Sequence, residues 1–413
     1  MDLPTSEQYY KHSVESFDTS KLLEKAARQR DERKFDDVLI IDVDSHHYES
    51  DSHGEIIEYI EDPVLRQLAQ SSRQISQRGG GMLNLNRVGY QDIGGRVTRY
   101  PLRKLETTPQ DGRHRDVHLT ERWMDAMGVD YTCMFPTPML GLALHPQVEV
   151  EVALARAYNR WLVEKVLPGS SRVKSMLFLP LNDHQAAYRM VKEFGDKPGV
   201  IGFMITTVRH KPVHDNDYMK VYAAIEELGL PLGFHSGFNW NDPLLKSCNK
   251  FLAVHALGFT WHNVVHCTNW VVNGMQERFP KLNVVWIEAG LAWIPWLMQR
   301  LDTEFRMRSS ECPSLKRLPS EYMREMFYTT QPMERPDHSN ETYLLEATFK
   351  TIHAESQLLY ASDYPHWDMD LPNTIWDLPF LTEKAKRNIL GESARKVFNI
   401  DVSARFPNYK PPA

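Results

Sequence analysis

The segment TWHNVVH, residues 260–266, sets His262 and His266 four positions apart. In a helix that is slightly more than one turn, so both imidazoles leave the same face. His255, seven residues before His262, joins them. An i, i+4 histidine pair on one helix face is a chelating geometry. Other acids and imidazoles close short apolar runs. IIDVDSHHYE carries Asp42, Asp44, His46, His47 and Glu49; PLGFHSG carries His235; VVWIEAG carries Glu288; LLYASDYPH carries Asp363 and His366. Buried charge is costly unless it is paired or bound to metal. Such groups on one surface form a ligand set for Zn, Mn or Fe.

The elements that must position them are legible as apolar runs. Eight read as buried strands: 38–44, 130–135, 173–181, 200–206, 231–235, 283–288, 326–330 and 358–363. Amphipathic stretches lie between them, among them DHQAAYRMVKEF, DYMKVYAAIEELG, WIPWLMQRLDTEFRMR and TEKAKRNILGESARKVF. Several start at Asp or Thr and stop at Gly, as helix caps require. Strands alternating with helices predict an α/β protein with a parallel sheet, and eight such units predict a closed (β/α)8 TIM barrel over 38–400. Catalytic groups of such barrels sit at the C-terminal ends of the strands. Side-chain alternation turns Asp42, Asp44 and His46 the same way.

Residues 1–37 read as a polar N-terminal arm, 50–117 as a lid or cap inserted after strand one, and 401–413 as a C-terminal tail. Arg99 and Arg103 in the insertion are candidates to meet an anionic substrate group, against the plainer reading of a solvated charged face. Trp240 and Trp367 are candidates for an apolar substrate wall, against the plainer reading of core packing.

A net charge of −6 over 413 residues argues against nucleic acid or an anionic membrane as the main partner. The four cysteines are scattered, with no CxxC pair, as expected of reduced thiols in the cytoplasm. No apolar run is long enough to span a membrane.

The runs IDVDSH, GFHSG, NGMQERFPKLNVVWIEAGLAWIPWLMQRLD and YASDYPH with NILGESARKVF resemble the amidohydrolase-related family, which includes aminocarboxymuconate semialdehyde and γ-resorcylate decarboxylases. The resemblance implies a metal-dependent TIM barrel, usually oligomeric, whose ligands fall on Asp44, His46, His235 and Asp363. It also marks two departures. Those decarboxylases carry a catalytic His at the end of strand six, where this chain has Glu288. Binuclear hydrolases of the wider superfamily bridge two metals from strand four with a Lys or Glu, and this strand four ends in MITTVRH. The pattern looks closest to a branch of non-haem diiron hydroxylases acting on CoA-linked acids.

Three readings of the histidine helix stay open: ordinary helix residues, substrate-orienting groups, or ligands of a second metal completed by Glu288 and His366. The favoured expectation is a homo-oligomeric dinuclear iron oxygenase that uses O2 to hydroxylate an organic acid or its CoA thioester. The alternatives are a mononuclear Zn or Mn hydrolase with Glu288 or Asp363 as general base, and a non-oxidative decarboxylase in which His255 or His262 replaces the missing histidine.

Overall fold

The computed structural model describes residues 19–75, 107–207, 211–239, 242–334 and 342–412. The eight strands are β1 (Ile41–His47), β2 (Tyr131–Pro136), β3 (Val173–Phe178), β4 (Val200–Thr206), β5 (Leu232–His235), β6 (Val284–Ile287), β7 (Phe327–Thr329) and β8 (Leu358–Leu359). They pair in parallel in chain order, β1 through β8. Closure runs from the end of β8 back to β1. The Val43 N–H donates to the Tyr360 carbonyl at 3.0 Å, and the Asp363 N–H to the Asp44 carbonyl at 2.8 Å. The chain forms the TIM barrel that its apolar runs predict, with strand ends within a few residues of expectation.

Nearly every strand residue is buried, as parallel strands covered by helices require. Inside the barrel, Gly202 and Gly233 leave room for Met176, because a Cβ at either position would press on the Met176 side chain. Outside it, Phe234 stacks on Trp286 at 4.5 Å and meets Trp270 edge-on at 5.5 Å. Trp270 and Trp286 therefore belong to the core.

The helices begin where capping residues allow. Asp183 accepts hydrogen bonds from the Gln185 and Ala186 N–H groups at 3.0 and 2.9 Å and starts helix His184–Phe194. A cap of this kind contributes about 1 kcal/mol. Thr382 caps Glu383–Arg387 in the same way. The closing helix widens into a π-helical turn at Asn388–Glu392. There Gly391 lies against the Leu39 backbone, too close for any side chain.

One sequence expectation fails for a local reason. The register of β1 against β2 slips between Asp42 and Ser45, and strict alternation is lost across a bulge. Asp42 accordingly turns to β8. It accepts hydrogen bonds from the Ser362 N–H at 2.9 Å, the Asp44 N–H at 3.1 Å and the Ser362 hydroxyl. It serves as a staple across the barrel seam.

In the N-terminal region, helix Thr19–Arg33 lies against helix Arg115–Met127, and Arg33 pairs with Asp377 at 2.6 Å. Much of the stretch read as a lid, 76–106 with Arg99 and Arg103, lies outside the described residues, as does Trp240. Among the described residues, no helix is long and apolar enough to cross a membrane.

Candidate metal centre

The C-terminal rim gathers side chains from four strands. Asp44 and His46 leave β1, His235 ends β5, and Glu288 follows β6; one ligand atom from each lies within 4.8 Å of the others. His46 also belongs to a second such group with Asp363 and His366, both from the segment after β8. His46 Nε2 stands 3.2 Å from Asp44 Oδ1 and 3.3 Å from Asp363 Oδ1. His235 Nε2 is 3.3 Å from Asp44 Oδ1.

Backbone carbonyls orient both rings. His46 Nδ1 is 2.9 Å from the Pro136 carbonyl, and His235 Nδ1 is 2.9 Å from the Ser236 carbonyl. A carbonyl only accepts, so each Nδ1 carries the proton and each Nε2 offers its lone pair to the centre. Glu288 also approaches His235 Nδ1, at 3.6 Å. The shorter Ser236 contact is the hydrogen bond.

Three carboxylates in so small a volume repel one another. Burial pushes the Glu288 carboxyl well above its usual range, and the Asp363 and Asp44 charges add to that. Burial likewise raises Asp363, with Asp44 and Asp368 adding to it and His46 opposing. Burial acts the same way on Asp44, but the His235 and His46 imidazoles outweigh it and hold that carboxyl below the usual range. His366 is lowered to about 4, chiefly by burial.

The donor set fits a divalent cation. Asp44 Oδ2, His46 Nε2 and Glu288 Oε2 are buried and make no hydrogen bond among the described residues. Unmade bonds on buried polar atoms cost about 1–3 kcal/mol each. A cation would satisfy Asp44 Oδ2 and His46 Nε2 and offset the acid cluster. Glu288 and Asp363 also hold left-handed backbone conformations, with φ of 55° and 59°. Non-glycine residues rarely sit there, and where they do they cluster at functional sites.

The expected second metal site on the histidine helix does not assemble among the described residues. His262 and His266 are buried in helix Phe251–Val272, and neither belongs to either ligand group. His266 Nε2 lies 2.6 Å from the Thr207 carbonyl after β4, and its ring lies over Phe234. The helix meets the centre through Asn263 instead. Its amide donates to the Ser236 hydroxyl at 2.8 Å, and that hydroxyl donates to the Phe259 carbonyl at 2.7 Å. We expect a His262→Ala, His266→Ala double variant to keep the wild-type ratio of bound metal to chain. Elemental analysis after gel filtration checks this, and loss of half the metal would restore the second site.

His366 sits at the rim. Its Nδ1 is 2.7 Å from Asp363 Oδ1, its Nε2 is 3.2 Å from Thr137 Oγ1, and its ring stacks on His46 at 4.3 Å. His255 packs against Phe259 at 4.6 Å and Trp367 at 5.7 Å. Trp367 is 44% exposed. This trio forms an aromatic wall separate from the ligand groups.

Reading the sequence for acids and imidazoles passed over the neutral groups that hold them: Ser236, Thr137, Thr329 and Gln331. The polar run TTQ at the end of β7 was the available signal for the last two.

An eight-stranded barrel with acid and imidazole ligands on its C-terminal rim is the architecture of an amidohydrolase-fold metal enzyme. The chain belongs to the amidohydrolase family, whose profile matches residues 44–400. It is 22% identical over 293 residues to the γ-resorcylate decarboxylase of Rhizobium sp. (strain MTP-10005), covering 67% of this chain and 85% of that protein. Among solved structures, it resembles 5-carboxyvanillate decarboxylase from Sphingomonas paucimobilis with a TM-score of 0.59 and 20% identity, covering 88% of this chain and 100% of the other. It also resembles a dihydroxybenzoic acid decarboxylase from Polaromonas sp. JS666, solved with manganese and the inhibitor 2-nitroresorcinol. That match has a TM-score of 0.61 and 16% identity, covering 89% of this chain and 99% of the other. None of these relatives supports the oxygenase expectation, with its two irons, O2 and CoA thioester.

Proposed function

We propose that this chain is a divalent-metal-dependent, non-oxidative decarboxylase of a hydroxylated aromatic acid. The observation that carries the reading is the pair of ligand groups that share His46: Asp44, His46, His235 and Glu288 in one, His46, Asp363 and His366 in the other. The decarboxylase relatives support it, and the manganese in one of them makes Mn the first metal to try.

Asp44, His46, His235 and Asp363 would hold the metal. When bound, a divalent cation supplies Lewis-acid polarisation and a fixed positive charge for acidic substrate oxygens. Glu288 is the proton donor in this reading, in the place of the strand-six histidine of the resembled decarboxylases. It delivers its proton to the ring carbon that bears the carboxylate. The carbon–carbon bond breaks, its electron pair stays on the ring carbon, and CO2 departs; a proton from solvent then restores Glu288. An acid must carry its proton to do this, and burial, the largest cause of the rise at Glu288, favours the protonated form. His255 and Trp367 offer an aromatic face for the substrate ring.

The test is anaerobic CO2 release from a panel of hydroxybenzoates by protein reconstituted with Mn2+ or Zn2+. Metal-dependent release without O2 is the expected result; reductant-dependent O2 uptake would overturn it. Glu288 itself favours one second reading. A carboxylate at that position is also placed to take a proton from an attacking water, as a hydrolase of esters, lactones or amides requires. Release of acid from such substrates, with no CO2 from the panel, would select that reading.

A further inference from the structure

Among the described residues, β7 alone of the four strands β5 to β8 sends no acid or imidazole to the centre. Its polar end nonetheless touches both strained acids. The Glu288 N–H donates to Thr329 Oγ1 at 2.9 Å. Gln331, fully buried, donates from Nε2 to Asp363 Oδ2 at 3.3 Å and to the Asp368 carbonyl at 3.4 Å. This amide orientation follows from its partners, since both are acceptors and the amide oxygen would repel them. Gln331 Oε1 makes no hydrogen bond among the described residues.

We infer that Gln331 is a positioning residue that engages Asp363 Oδ2 and leaves Oδ1, the oxygen facing His46 Nε2, to the metal. The inference rests on the reading of Asp363 as a ligand. Carboxylate ligands need such outer partners because a freely rotating carboxylate loses orientational entropy on binding metal. Asp363 has a further reason. Its backbone is strained at φ 59°, and such a conformation persists only where surrounding groups hold the residue in place. Three groups do so: Gln331 on Oδ2, His366 on Oδ1, and the Asp44 carbonyl on its N–H.

The test measures Mn2+ affinity by calorimetry, with no substrate. In Gln331→Leu the Mn2+ dissociation constant should rise about 10–100-fold, the usual effect of losing an outer partner of a ligand. The control is Gln357→Leu, which removes a similar amide bonded to the Met326 carbonyl at 3.0 Å, outside both ligand groups. It should bind as wild type does. An unchanged constant in Gln331→Leu, or an equal loss in both variants, overturns the inference. If Gln331→Leu does not fold, Gln331→Met takes its place, because it keeps the length, removes the donor and adds no charge beside the metal. Wild-type protein that takes up neither Mn2+ nor Zn2+ would overturn the metal-centre reading itself.

Discussion

Glu288→Gln should lower kcat by about 10²–10⁴-fold, the range that a positioned acid or base contributes, and leave metal content unchanged. The substitution keeps the shape of the side chain and its backbone bond to Thr329. It removes only the transferable proton. Substrate binding should hold, because a neutral amide replaces a protonated, neutral carboxyl of the same shape. A lower kcat with KM steady separates proton transfer from binding. Loss of metal in this variant would instead make Glu288 a ligand. Glu288→His sharpens the result, since it installs the residue that the resembled decarboxylases carry there. If Glu288 is the proton donor, the histidine should recover part of the decarboxylation. A hydrolase using Glu288 as a base would gain no CO2 release from either change.

The second large effect concerns stability. Metal binding to the native state stabilises it by RT ln(1 + [L]/Kd), about 4 kcal/mol at 1,000 times Kd. Saturating Mn2+ should therefore raise the melting temperature of chelated wild-type protein by several degrees. His46→Ala should abolish that rise, because His46 is shared by both ligand groups. The chelated protein should also respond to pH. Glu288 and Asp363 have proton affinities raised by folding. Their contribution to stability is fully present below the unfolded carboxylate values near 4 and is lost as pH rises through the raised native values. Asp44, held below its usual value, acts oppositely: its contribution is present above the unfolded value and is lost as pH falls through the native one. Burial also lowers His46 and His366, whose contribution grows as pH rises toward the unfolded histidine value near 6.5, so chelated protein should lose stability with rising pH once those imidazoles are neutral. Saturating Mn2+ should flatten that slope. Thermal melts with and without chelator across pH 4.5–8 check it, and parallel curves would count against a cation at this cluster.

Strands were the most legible part of the sequence, because a parallel barrel buries both faces of each strand and writes it as an apolar run. The candidate ligands stood out for a related reason: a charge ending such a run has few explanations other than a shared centre. Asp42 was misread because a bulge in β1 breaks the alternation that placed it beside Asp44. The histidine helix was ambiguous for a physical reason. Spacing of four places two residues on one face but does not say what that face meets, and His266 meets the Thr207 carbonyl. Thr329 and Gln331 were passed over because neutral amides and hydroxyls are common after strands. Their role depends on neighbours some 30 to 40 residues away in the chain.

The left-handed backbone at Glu288 and Asp363 sets durability against chemistry at two points of the rim. Glycine or asparagine would relax either position, by about 1–3 kcal/mol where an acid is strained, and either would discard the carboxylate. Engineering this scaffold for heat tolerance alone would drift toward an inert barrel, so selection for robustness has to be coupled to selection for turnover.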